Sequence, residues 1–173
     1  MQDFGKLFME TKEDFIIYEG KKLFVADKFP IKNGDVLKVN IESTRSDCRQ
    51  GATIDITRWC EINGEVIKKG KGLRIQFWED TFEKNMKLKV YTKQDYVYVY
   101  NMYEVKYSYL VADEFGNLVN KEKTRLDWGH NRAAMIVEEI ENGRRYRCSD
   151  IKADGNFDNI VFTVQRVNPL ETC

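Results

Sequence analysis

The sequence is short of the residues that ligate metals and punctuate chains. It holds one histidine, His130, and two prolines, Pro30 and Pro169. A single histidine excludes a multi-histidine metal centre within one chain. Its four cysteines, Cys48, Cys60, Cys148 and Cys173, form no CxxC pair, which leaves structural zinc little support. Free thiols are the expected state; a Cys48–Cys60 disulfide would need an oxidising compartment. No apolar run approaches the roughly 20 residues of a transmembrane helix. The opening "MQDFGKLFMETKEDF" carries acids and no continuous apolar core, so it does not read as a secretory signal, and the cytoplasm is the expected compartment. Net charge is missing as well, because 28 Lys and Arg balance 28 Asp and Glu. Without an overall field, neither nucleic acid nor a membrane is an expected partner. The glycines form no phosphate loop: "GKGLR" lacks both the Walker spacing and its Lys-Ser/Thr ending.

What is present is a chain built for strands. Aromatic and β-branched residues recur through all 173 positions, and 42% of residues are hydrophobic, enough for one domain with a real core. "DVLKVNIES" sets Leu37, Val39 and Ile41 against polar neighbours at period two. "GKGLRIQFWED" puts Leu73, Ile75 and Phe77 on one side and Arg74, Gln76 and Trp78 on the other. Asn63-Gly64 predicts a two-residue turn with Ile62 opposite Glu65 and Cys60 opposite Ile67. "NRAAMIVEEIENGRRYRC" reads as a helix ended by Gly143 or as a hairpin. The hairpin is preferred, turning at Asn142-Gly143 with Glu141 facing Arg144 and Glu138 facing Arg147. "NLVNKEKTRLDW" is weaker in pattern.

Roughly nine to twelve short strands with no βα alternation point to an all-β fold, an antiparallel β-sandwich or jelly roll with at most one or two short helices. The expected organisation is one domain over residues 1–173, with 1–30 a peripheral helix and strand extension in which Phe4, Leu7 and Phe8 fit helical spacing. The expected core is Val36, Val39, Ile54, Ile56, Leu73, Ile75, Phe77, Leu88, Val97, Val99, Ile136, Ile160 and Phe162.

Three groups are candidates for function. The first is "SDIKADGNFDNIVF", where Asp150, Asp154, Asn156 and Asp158 crowd together. Calcium takes several hard oxygen ligands, and a curled loop relaxed at Gly155 could turn these residues inward. The spacing is not that of an EF-hand. Asp and Asn also favour plain turns, by bonding their own backbone. The stretch "DIKADGNFDNIVFTV" resembles the Asp-rich loop and following strand of some bacterial calcium-associated β-sandwich modules. Its matching residues run from Asp154, Asn156, Phe157, Asp158 and Asn159 into Ile160, Val161 and Phe162. The resemblance implies a β-sandwich with Ca²⁺ as its ligand.

The second group is "LDWGHNRAA", where Asp127, Trp128, His130, Asn131 and Arg132 could form a recognition loop for a protein or a glycan. A hydrolase using His130 with Asp127, or using an acidic pair, is the enzymatic alternative; a carbohydrate-binding module is the other. No nucleophile motif accompanies these residues. The third is "YVYVYNMYEVKYSYLVAD", where Tyr96, Tyr98 and Tyr100 share one strand face and could pack copies of the chain into a homo-oligomer. Taken together, the sequence reads as a non-enzymatic binding or structural interaction module.

Overall fold

Alternation at period two becomes strands wherever one face can be buried. The computed structural model describes residues 3–129, 133–152 and 154–168. One helix, α1 (Phe4–Glu10), opens the chain, and the Asp3 side chain accepts from Lys6 N at 3.1 Å as its N-cap. The strands that follow are β1 (Phe15–Tyr18), β2 (Lys21–Phe24), β3 (Asp27–Pro30), β4 (Val36–Thr44), β5 (Arg49–Ile56), β6 (Trp59–Ile62) and β7 (Glu65–Lys68). Then come β8 (Leu73–Trp78), β9 (Lys87–Tyr91), β10 (Tyr96–Ala112), β11 (Leu118–Trp128), β12 (Met135–Ile140), β13 (Gly143–Cys148) and β14 (Ile160–Val167). Fourteen strands among the described residues exceed the nine to twelve expected, and β10 and β11, at 17 and 11 residues, are longer than the short strands the pattern suggests. Among the described residues, no helix is long and apolar enough to cross a membrane.

All ladders are antiparallel. The larger sheet runs β1-β2-β12-β13-β14-β4-β9-β6-β7, and the smaller runs β11-β10-β5-β8, with β3 also on β10. Packed together they make a sandwich-like all-β fold. Leu37, Val39, Leu88, Phe162 and Val164 of the larger sheet meet Ile54, Ile56, Phe77, Val97 and Val99 of the smaller in one buried cluster. A second cluster holds Phe4, Leu23, Ala134 and Phe157, with Leu7, Phe8 and Ile136 packed on it. The first thirty residues are therefore not all peripheral: β2 joins the larger sheet through Leu23↔Ile136, and β3 joins the smaller through Phe29↔Val97.

Three expected core residues are only partly buried. Val36 sits on the opposite strand face from Leu37 and Val39. Ile75 lies on β8, an edge strand. Ile136 packs on the small second cluster. Cys48, Cys60 and Cys148 are free thiols, so the Cys48–Cys60 pairing does not form.

The Asn63-Gly64 hairpin has the expected register, Ile62↔Glu65 and Cys60↔Ile67, with both turn residues at positive φ of 52° and 80°. That is the turn whose twist matches two antiparallel strands. The β12–β13 hairpin forms, but with another register. Ile140 faces Gly143 and Glu138 faces Arg145, so Glu141 and Asn142 make the turn, Asn142 taking φ 57°. Gly143 serves instead as a point of close approach: a Cβ there would lie 2.1 Å from Val164 O on β14.

Candidate functional site

The acidic stretch is built as a hydrogen-bonded turn. Asp150 is buried at the end of β13 and points toward the start of β5. Its carboxylate accepts from the Ser46 hydroxyl, from Gln50 Nε2 at 3.1 Å and from Lys152 N at 2.9 Å. Asn159 braces the other side: its Oδ1 accepts from Asp150 N at 3.0 Å, and its Nδ2 donates to Arg45 O at 3.0 Å. Asp154 is exposed and accepts from Asn156 N at 3.1 Å, a local Asx turn. Asp158 takes Arg45 Nη1 at 3.3 Å. Phe157, 1% exposed at φ 52°, plugs into the second cluster 5.8 Å from the Phe4 ring. Asp150 and Asp158 thus engage separate protein groups, while Asp154 is bonded to the Asn156 backbone. Among the described residues, no three His, Cys, Asp or Glu side chains stand together in a way that could hold a metal ion.

Part of the second group lies beside the first. Asp127 is 3% exposed and accepts two bonds from Arg125, each at 2.8 Å. Tyr103, fully buried, is the cross-strand partner of Asp127; burial pushes its phenol pKa up, and the charges of Asp127 and Asp150 push it further. Cys48 stands near Asp150, and its thiol pKa is raised by burial and then by that charge. A thiol shifted upward is a poor nucleophile. His130, Asn131 and Arg132 lie outside the described residues.

Trp128 and the three tyrosines line the outer face of the smaller sheet. Tyr100 is not an exposed interface residue: it is 6% exposed, and its hydroxyl donates to Asp55 Oδ2 at 3.0 Å. Arg74, paired with the same carboxylate at 3.0 Å, spreads its guanidinium 5.8 Å from the Tyr100 ring and 5.3 Å from the Trp128 ring. Tyr96 and Tyr98 stay half-buried, in edge contact at 5.2 Å. A groove of about 360 Å³ crosses this face between Val25, Asp55, Arg74 and Trp128.

The most exposed apolar surface belongs to an element that the sequence marked only weakly. Strand β5 leaves β10 at the pair Glu104↔Arg49, whereas β10 and β11 stay paired out to Ala112↔Leu118. Residues 105–125 are therefore a two-stranded arm reaching past the body of the smaller sheet. The tip is closed by Asp113, whose carboxylate accepts from Phe115 N at 2.9 Å and Asn117 N at 2.8 Å. Those bonds hold the Asp113 carboxyl below the usual range. Leu110, Phe115 and Leu118 stand 65%, 81% and 69% exposed there. The one signal in the sequence was a cluster of large apolar residues around Gly116-Asn117, where a turn would normally be polar.

Compared with known protein families, the chain matches no family. Among curated proteins and among solved structures it likewise finds no match.

Proposed function

We propose that this protein is a non-enzymatic structural interaction module, with the sandwich as platform and the β10–β11 arm as contact element. One observation carries the reading. Of the ten large hydrophobic side chains exposed among the described residues, seven lie on or at the base of the arm: Tyr107, Tyr109, Leu110, Phe115, Leu118, Val119 and Leu126. Exposed apolar residues scattered singly are ordinary, but seven gathered on one element mark a contact surface: Tyr107, Tyr109 and Val119 on one face, Leu110, Leu118 and Leu126 on the other, and Phe115 at the tip. A two-stranded ribbon with no packed face is also marginal in water, so the arm gains order when something covers it.

The alternatives have less behind them. Asp127, which the hydrolase reading needs as a free carboxylate, is held by Arg125. A sugar stacked on Trp128 would have to displace the Arg74 guanidinium or use what that side chain leaves open. Calcium at the 150–158 loop would have to draw Asp150 and Asp158 away from protein donors.

The test is a shortened arm. Val105 and Arg125 are a cross-strand pair, so residues 106–124 can be replaced by Asn-Gly, a favoured two-residue hairpin turn. The shortened protein is expected to keep its β circular dichroism and its cooperative melt while losing most of its binding of the apolar-surface dye ANS. Unchanged dye binding, or a sandwich that no longer folds, would overturn the reading.

A further inference from the structure

We infer that the partner of the arm is a second copy of this chain, the two arms lying antiparallel with leucine face against leucine face; this rests on the arm being the contact element. Cross-strand register divides the arm into two unlike faces. One face carries Tyr107 and Tyr109 beside Lys121 and Lys123, with Arg125 held by Asp127 at its base. Two such faces would repel. The other carries Leu110 and Leu118, with Lys106 and Glu122 as its charges between residues 105 and 125. That face is apolar toward the tip, at Leu110, Ala112 and Leu118, and neutral as a whole, so it can meet its own copy without an excess of like charge.

Charge along the arm fixes the direction. From Glu104 to Leu126 there are four cations and four anions. Toward the base lie Lys106, Lys121, Lys123 and Arg125 against Glu104, Glu122 and Asp127, which holds Arg125; the tip holds Asp113 and Glu114 alone. Parallel arms would bring four tip carboxylates together. Antiparallel arms set the acidic tip of each copy against the leucine face at the base of the other, where Lys106 is the cation and lies nearest Glu114, while Lys121, Lys123 and Arg125 belong to the opposite face. The arm's nine β10 residues from Glu104 to Ala112 span about 30 Å at about 3.4 Å each. A face roughly 10 Å wide then buries on the order of 600 Å² over both copies. That is below the roughly 1,200 Å² of a stable complex, so the dimer forms and parts with concentration.

Sedimentation velocity from about 1 to 200 μM, a range that brackets a micromolar constant, reads this directly. The wild-type protein is expected to move from monomer to dimer across the series. Leu110→Asp and Leu118→Asp are each expected to hold the monomer throughout with an unchanged melting temperature, since both side chains are exposed. Lys121→Glu, on the opposite face, should leave the dimer in place. Glu114→Lys should weaken association at least threefold, and adding Lys106→Glu in the same chain should restore it. A wild-type protein monomeric at every concentration, or leucine variants that dimerise unchanged, would overturn the inference. ANS binding separates the two levels. A monomer that binds the dye through Leu110 and Leu118 loses the second copy as partner but keeps the arm as contact surface. A monomer that binds no dye loses both.

Discussion

Removing Asp27 is expected to loosen the tie between the two sheets. Asp27 is 5% exposed on β3, and its carboxylate reaches across to β13. Tyr146 Oη donates to it at 2.8 Å, and Arg144 Nη1 donates to both oxygens at 3.0 and 2.9 Å. In Asp27→Ala the buried Tyr146 hydroxyl loses its acceptor, which costs about 1–3 kcal/mol. Arg144 keeps Glu139 at 2.7 Å and Lys28 O at 3.0 Å, and its side chain is 21% exposed. Its charge is therefore not stranded, and the loss falls at the low end of the roughly 3–5 kcal/mol seen when one partner of a buried pair is removed. The expected total is about 3 kcal/mol. Asp27→Asn keeps one acceptor oxygen and should lose about half as much. Tyr146→Phe should cost about 1–1.5 kcal/mol, and the Asp27→Ala, Tyr146→Phe double variant should cost less than the sum, because the stranded hydroxyl is gone. Urea unfolding at constant m-value measures each. An Asp27→Ala protein within about 0.5 kcal/mol of wild type, or strict additivity in the double variant, would refute the reasoning.

Three further outcomes are expected. Gly143→Ala must push β13 away from β14, because the new Cβ would sit 2.1 Å from Val164 O and 2.7 Å from Gln165 Cα; a loss of about 2–4 kcal/mol should follow, on the scale of a severe steric substitution, and a loss below 1 would show that the strands can part freely. Tyr100, Tyr103 and Tyr146 have phenol pKa values raised by burial and then by Asp55, Asp127 and Asp27 respectively. Their unfolded-state pKa is the lower one, so their contribution to stability is full below about pH 10 and is lost as pH rises beyond it; tyrosinate absorbance should show these three titrating only with unfolding. Melting curves in calcium and in chelator should coincide, since Asp150 is engaged by Ser46, Gln50 and the Lys152 amide; a calcium-dependent rise in Tm abolished by Asp154→Ala or Asp158→Ala would restore the ion to this loop.

Much of the fold was legible because burial on one face writes itself into the sequence at period two. The strands around Leu37, Leu73 and Val97 follow that rule, whereas β5 is buried on both faces from Gln50 to Ile54, and Asn63-Gly64 set its own register because both residues accept positive φ. The β12–β13 register was not legible. Glu141-Asn142 and Asn142-Gly143 are both plausible turns, and the choice is made by β14, whose backbone passes so close to Gly143 that only a glycine fits. The arm was faint for the opposite reason. Past Glu104 neither face is buried, so nothing enforces alternation on "NLVNKEKTRLDW". The acidic loop was visible as a polar turn, but not its partners: Ser46 and Gln50 lie 104 and 100 residues before Asp150 in sequence. The burial of Tyr100 depends on Arg74 and Asp55 from two other strands, which no local pattern reveals.

Hydrogen–deuterium exchange across a concentration series tests the central claim most directly, because it reads each segment in the unmodified protein. Amides from Lys106 to Ala112 and from Leu118 to Thr124 are expected to exchange quickly when dilute and to gain at least tenfold protection when concentrated. Amides of Val39, Ile54 and Phe162 in the sandwich core should not change. Arm amides whose exchange is the same at every concentration, or protection that rises instead on the Tyr96–Tyr100 face, would contradict the account.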